Sequence, residues 1–222
     1  MTGTIVRHLI LKDLYLLRWM SLGTIAAGLA AAAVMARSPV PINAGGVLMI
    51  CALIVLNIFV VMTGIVTERK ERVSVFVLSL PVSRRQYVTA KVTANAIAFT
   101  VPWAVLTVSV AATVIVSPIP DGFLPFWIAL LGFLLFYYCA LLGVALNTDA
   151  TGWHAAAIIA GNLSVNFFIV LLFSLPSVHR FGGGAAPVWT TDILLLVAGE
   201  IVLGIVVLAL AIHLHSRRPD FV

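Results

Sequence analysis

Six long apolar runs limit what this chain can fold into. They lie at Trp19–Ala36, Gly46–Thr67, Val92–Val116, Leu124–Leu146, Trp153–Leu175 and Thr191–His215. Each run is close to the roughly 20 residues that a helix needs to cross a bilayer. Lipid offers no partner for backbone polar groups, and the runs lack the alternation of barrel strands, so they predict six transmembrane helices.

The composition excludes an ordinary soluble protein. Hydrophobic residues make up 62% of the 222 residues and charged residues 9%, against about 45–50% and about 25% in soluble domains. Six spans with short connections fill the chain, so we expect one transmembrane domain over residues 1–222 and no separate soluble domain. We expect no secretory signal, because Arg7, Lys12, Asp13 and Arg18 interrupt the first apolar residues.

Basic residues are unevenly divided between the two sides of the predicted bundle. If the N-terminus is cytoplasmic, all but two of the 13 Lys and Arg residues lie on that side, the exceptions being Arg37 and Arg180. The positive-inside rule then places both termini in the cytoplasm. The net charge of +5 therefore requires no nucleic-acid partner.

The segment before the first span has two faces when wound as a helix. Apolar residues from Ile5 to Leu17 lie on one side, interrupted by Asp13, and Arg7 and Lys12 lie opposite. This pattern predicts an interfacial helix over residues 1–18, with its basic face on anionic lipid headgroups. The alternative is that the segment extends the first membrane helix into the cytosol.

One long polar break, Glu68–Lys91, separates the second and third spans. Charged residues at both ends of the break enclose the apolar run Val73–Leu80, which Pro81 closes. We predict a short helix that ends before Pro81, then a helix capped by Ser83, with an exposed apolar tip that docks a cytosolic partner. The alternative is a solvated loop whose apolar residues fold back on the membrane.

The run Leu78–Arg85 (LSLPVSRR), followed by Tyr87 and Lys91, resembles the loop between the second and third helices of ABC-2 type transporter permeases. The residues LKDL at 11–14 and the six-helix plan with both termini inside are similar to the same family. The expected fold is thus an all-α integral membrane protein of six transmembrane helices, preceded by an amphipathic elbow helix.

The resemblance implies a half-size exporter permease in a bacterial cytoplasmic membrane. It would pair with a second copy or a homologue and with two ABC ATPase subunits. In that family the apolar run is a coupling helix seated in the ATPase, within the coupling segment 68–91. The residues assigned to ATPase coupling are Glu68, Arg72, Val73, Val75, Phe76, Leu78, Leu80, Pro81, Arg84 and Arg85. Family members often have Gly and an acidic residue where Arg72–Val75 stands, so contacts with the ATPase would differ there.

The chain has no nucleotide-binding motif of its own. No GxxxxGK[ST] loop occurs, and Gly182–Gly184 is followed by alanine. We therefore expect no enzymatic activity and no cofactor in this chain, with ATP and Mg bound by the partner. Residues 176–190 should form a flexible extracytoplasmic loop, and the resemblance would give Phe181 and Trp189 a place in an outer gate.

Polar groups within the spans are further candidates. Glu200 is a possible intramembrane polar site, because a carboxylate at that depth is costly without a partner or a cavity. By resemblance, the second and fifth helices would line a substrate path through Asn57, Phe59, Asn162, Asn166 and Phe167. The alternative for the asparagines is that they join helices.

Other functional classes stay open at this stage. A membrane-embedded haem or redox protein would need paired histidines at matching depth, for which His154 and His213 are candidates. A structural or assembly scaffold is a third possibility. The apolar spans suit lipids, hydrophobic peptides or drugs as substrates.

Overall fold

The structure, a computed structural model, describes residues 2–40, 42–67 and 84–216. Its helices are α1 (Thr2–Met35), α2 (Ala44–Val61), α3 (Arg84–Val116), α4 (Leu124–Asn147), α5 (Thr151–Ser174), α6 (Pro176–Phe181) and α7 (Thr191–Ser216). A π-helical turn, Met62–Thr67, extends α2, and a 3₁₀ turn, Asp121–Phe123, precedes α4. Within these ranges, six helices are long and apolar enough to cross a membrane, which confirms the predicted all-α fold.

The N-terminal segment is not a separate interfacial helix. α1 runs unbroken from Thr2 to Met35, because residues 5–22 contain neither Gly nor Pro to end it. Asp13, which interrupts the apolar face, is buried against the bundle instead of facing lipid headgroups. The structure thus agrees with the alternative that this segment extends the first membrane helix.

The bundle has two halves that are built alike. In the first half, α1 and α3 run parallel and pack along their length, and α2 lies antiparallel beside them. In the second half, α4 and α7 run parallel and pack along their length, and α5 lies beside α4. α4 joins the halves, because it also packs on α2 and α3. Trp127 and Tyr138 of α4 and Phe99 of α3 are fully buried there, and the rings of Phe99 and Tyr138 stack at 4.2 Å between centroids.

Three contacts at almost heptad spacing form the seam between α1 and α3. Along α1 they involve Asp13, Ser21 and Gly28, and along α3 they involve Lys91, Ala98 and Leu106. A Cβ atom at position 28 would overlap the Leu106 side chain, so glycine allows the close approach. Such spacing keeps the same faces of two parallel helices in contact.

Pro102 lies inside α3 without ending it. Proline has no N–H, so the carbonyl of Ala98, four residues earlier, loses its helical hydrogen bond. The Ser21 hydroxyl of α1 donates to that carbonyl at 3.1 Å. A side chain from a neighbouring helix thus replaces the missing bond, as membrane interiors require.

A second seam, the α4–α7 seam, joins the helices of the other half. Gly132 and Gly143 of α4 lie against Glu200 and Ala211 of α7, and Gly204 of α7 lies against Cys139. Asn147 donates to the carbonyls of Gly143 and Ala211, both at 3.0 Å. Small residues at these positions let the two backbones approach closely.

The segment expected to be a flexible loop, residues 176–190, contains helix α6 and packs on neighbouring turns. The Gly122 amide of the 3₁₀ turn donates to the Gly184 carbonyl at 3.0 Å. Ser177 of α6 donates to the Asp192 carboxylate at 2.7 Å. Phe181 and Trp189 are each 42% exposed at this end of the bundle.

Candidate functional site at the basic end of the bundle

We call the end of the bundle where α1 and α3 begin and α2 ends the basic end. Most residues predicted to couple to an ATPase lie between these elements, outside the described residues: Glu68, Arg72, Val73, Val75, Phe76, Leu78, Leu80 and Pro81. Arg84 and Arg85 are the first residues of α3. The predicted cap of this helix, Ser83, lies outside the described residues. The candidate site is therefore the structure that flanks the coupling segment on both sides.

A buried ion pair links α1 to α3 at the basic end. Lys91 Nζ lies 2.8 Å from Asp13 Oδ2, and the two side chains are 8% and 4% exposed. Lys12 Nζ is 3.6 Å from Asp13 Oδ1, with 52% of its side chain exposed. Taking two charges out of water is costly, so each of the two buried side chains depends on the attraction of the other. The pair therefore holds α1 to the beginning of α3.

Sequence reasoning did not find this pair. The signal was present, since Asp13 interrupts an otherwise apolar helix face and Lys91 closes the polar break. The sequence pattern shows that a charged residue on an apolar helix face is unusual, but it does not show which residue neutralises that charge. The partner depends on how α1 and α3 are rotated against each other.

The π-helical turn at the end of α2 packs on the same part of α3. A Cβ atom at Gly64 would overlap the Asn95 side chain, so glycine lets the turn approach. Asn95 is fully buried, and its amide donates to the Lys91 carbonyl at 3.4 Å. π-helical turns occur frequently at functional sites. The last residues before the coupling segment and the first residues after it are thus in contact with each other.

These contacts join three helices beside the predicted coupling segment. The chain runs from the π-helical turn through residues 68–83 into α3. The Asp13–Lys91 pair and the Ser21–Ala98 hydrogen bond attach α1 to α3, and Gly64 lets the turn pack on Asn95 of α3. Helices α1, α2 and α3 are therefore in contact at the basic end.

The residues predicted to line a substrate path lie on two helices that do not pack extensively on each other. Asn57 of α2 is 1% exposed and Phe59 is partly buried, whereas Phe167 of α5 is 73% exposed. The Asn166 amide donates to the Asn162 carbonyl at 2.9 Å, with Asn166 exposed. Helix α2 packs on α1, α3 and α4, while α5 packs mainly on α4. Within one subunit, these residues do not form a single described site.

A cavity of about 310 Å³ between α4 and α5 was not predicted. Its lining includes Phe133, Phe136 and Tyr137 of α4 and Gly161 and Ser164 of α5. The two hydroxyl groups are already engaged, since Tyr137 donates to the Ile158 carbonyl and Ser164 to the Gly161 carbonyl. The cavity is accordingly apolar. Small residues repeated on one face of α5 were the sequence signal for it.

Glu200 is buried in the α4–α7 seam. It is 8% exposed and lies against Gly132. Neither carboxylate oxygen has a hydrogen-bond partner among the described residues. The sequence marked Glu200 as an unusual intramembrane carboxylate, and the structure places it at the interface between α4 and α7.

The two histidines considered as a haem pair differ in exposure. His154 is 2% exposed, whereas His213 is exposed on α7. Among the described residues, no group of three or more His, Cys, Asp or Glu side chains could hold a metal ion. Nothing in this arrangement favours the haem hypothesis.

Comparison with known proteins assigns the family. Residues 8–216 match the sequence model of a family described as ABC-2 family transporter protein. No curated protein and no solved structure gives a significant match. The family match spans all six membrane helices and the polar break between α2 and α3. The chain is therefore a multi-pass integral membrane protein that belongs to the ABC-2 family of transporter permeases.

Proposed function

We propose that this chain is the transmembrane subunit of an ATP-driven exporter that moves a hydrophobic or amphipathic substrate out of the cytoplasm. A separate ABC ATPase, present as two subunits, would bind ATP and Mg and supply the energy. Family membership supports a transport subunit, and the sequence has no phosphate-binding loop. The observation that carries the coupling mechanism is the buried Asp13–Lys91 pair next to the coupling segment.

In this mechanism the ATPase pushes on the apolar run Val73–Leu80. Force passes to α2 through the π-helical turn and to α3 through its first turns, and α1 follows because Lys91 holds Asp13. The first half of the bundle then moves against α4, which joins it to the second half. Such rigid-body movement would switch access from the inside to the outside.

The outward face of α5 supports a second copy or a homologue as partner. Asn166 and Phe167 are exposed on it, and Asn162, one turn before Asn166, is partly exposed. Amide groups are costly against lipid and commonly join membrane helices. A second permease subunit would cover these residues, and the substrate would pass between the two subunits. The scarcity of fixed charges in the spans suits an apolar substrate.

The proposal is tested by co-purification of the full-length tagged chain with its co-expressed ABC ATPase. The variant Phe76→Asp with Leu78→Asp should lose the ATPase, because two charges would replace the apolar contacts. The matched control is Phe181→Asp with Trp189→Asp, which makes the same change at the opposite end of the bundle. It should retain the ATPase. Association that survives the first double change, with both variants inserted in the membrane, would contradict the coupling assignment.

A further inference from the structure

Glu200 is a buried ionisable side chain that the proposed mechanism does not use. It lies well inside α7, Thr191–Ser216, and is 8% exposed. Its carboxylate occupies the space left by the missing side chain of Gly132, where a Cβ atom would overlap Oε2. An ionised carboxylate enclosed in this way loses its hydration, which costs several kcal/mol or more unless a partner compensates.

Within the described part of the chain, no hydrogen bond or ion pair compensates the carboxylate. Neither oxygen has a hydrogen-bond partner among the described residues. Helix α4, against which Glu200 packs, contains no charged residue, and within α7 the other ionisable groups, Asp192, His213 and His215, lie at its two ends. The sequence has no Lys or Arg in residues 19–36, 38–68, 92–179 or 181–216, which include the whole of α4, α5 and α7.

A second copy of the chain has the same sequence, so it brings no Lys or Arg into these ranges either. The neutralising group must then come from outside the polypeptide. The carboxylate lies in contact with the α4 backbone position at Gly132, which favours the smallest cation. A proton meets this requirement without needing further space.

We infer that Glu200 is an intramembrane proton-binding site in the α4–α7 seam. The carboxylate takes up one proton from water and becomes a neutral carboxylic acid. Separation of α7 from α4 would expose the group to water and let the proton leave. Proton binding is thereby linked to closure of the seam, because the neutral form is the one that burial tolerates.

The test uses the full-length chain with its ATPase in lipid vesicles at pH 7. Neutral carboxylic acids give an infrared carbonyl stretching band that ionised carboxylates lack. We expect Glu200→Gln to remove one such band from the spectrum. A carboxyl group in water has an ordinary pKa of about 4, so at pH 7 only about one molecule in a thousand is protonated. Carboxylates on the protein surface therefore contribute little to this band.

A second measurement needs no variant. Dicyclohexylcarbodiimide reacts with a protonated carboxyl group: the acid oxygen bonds to the carbodiimide carbon, its proton goes to a nitrogen, and rearrangement leaves a stable N-acylurea. Mass spectrometry of the wild-type chain should find this adduct on Glu200 and not on the exposed Asp149. The inference is overturned if the Glu200→Gln complex keeps the band, or if wild-type Glu200 carries no adduct.

Discussion

At the scale of single residues, α1 is tied to α3 by polar groups that lipid cannot replace. Ser21 supplies the hydrogen bond that Pro102 removes from the Ala98 carbonyl. Lys91 neutralises Asp13 in a setting where both are buried. In each contact, a polar group that would be costly to bury in a membrane helix without a partner is compensated by a group on the neighbouring helix.

Ser21→Ala should destabilise the protein by about 1–3 kcal/mol, because it leaves the Ala98 carbonyl unsatisfied. In a Pro102→Ala background the loss should be smaller, since the new backbone N–H restores the helical bond to that carbonyl. A double-mutant cycle from denaturant unfolding of the detergent-solubilised protein measures the difference. Equal losses in both backgrounds would show that Ser21 does not compensate for Pro102.

Lys91→Met should cost about 3–5 kcal/mol, because it removes the nearer and buried cation from the buried Asp13 carboxylate. Replacing both residues, with Asp13→Leu and Lys91→Met, should recover much of that loss. Lys12→Met is the matched control; its 52% exposed side chain should contribute less than about 1 kcal/mol. The same unfolding measurement applies. A loss for Lys12→Met as large as that for Lys91→Met would contradict the assigned ion pair.

At the scale of elements, the two halves of the bundle each depend on one parallel pair of long helices. The α1–α3 seam uses polar contacts together with Gly28, whereas the α4–α7 seam uses Gly132, Gly143 and Gly204. Membrane helices gain little from excluding lipid, so close packing of small residues and interhelical hydrogen bonds must hold them. An added methyl group would make ordinary van der Waals contact at Gly143 and Gly204, whereas at Gly132 it would displace the Glu200 carboxylate.

Gly132→Ala tests the α4–α7 seam. Its Cβ would overlap the Glu200 carboxylate, which ends a flexible side chain and must shift aside. We therefore expect Gly132→Ala to be less stable than the control Gly199→Ala by up to about 1 kcal/mol. Gly199→Ala, beside Glu200 on α7, places a Cβ with nothing within 4 Å. That control should be neutral or stabilising by up to about 1 kcal/mol, because alanine favours the helix. Thermal unfolding of both variants measures the difference, and a Gly132→Ala variant as stable as Gly199→Ala would contradict the close contact.

At the scale of the whole molecule, the bundle has two chemically different ends. The basic end carries the buried ion pair and the flanks of the coupling segment, and the opposite end carries the packed turns around Gly122 and Gly184. With all but two of the Lys and Arg residues on one side, the positive-inside rule predicts that the basic end is cytoplasmic.

Cysteine accessibility tests this orientation. In a background without Cys51 and Cys139, Val40→Cys at the opposite end should react with a membrane-impermeant maleimide in intact cells. Ala150→Cys, exposed at the basic end, should react only after the cells are permeabilised. The reverse pattern would mean that the basic end faces outward.

The helices themselves were predictable from the sequence because lipid imposes a local requirement. A span must be apolar over a sufficient length, and every predicted span corresponds to an observed helix, with α3 beginning earlier, at Arg84, than its apolar part. The continuity of α1 was harder to predict, since amphipathic residues suit an interfacial helix as well as a helix that packs on a neighbour. Only the burial of Asp13 against Lys91 distinguishes the two.

The sequence by itself determined the class of the protein: six membrane helices and a charged break whose LSLPVSRR run resembles ABC-2 permeases, a family that the match over residues 8–216 confirms. These features follow from length, hydropathy and motif, which are read along the chain. The tertiary structure decided that Lys91 neutralises Asp13, that Ser21 satisfies the carbonyl freed by Pro102, and that Glu200 lies unpaired against Gly132. Those contacts depend on the rotation and register of packed helices, and no pattern within one helix specifies them.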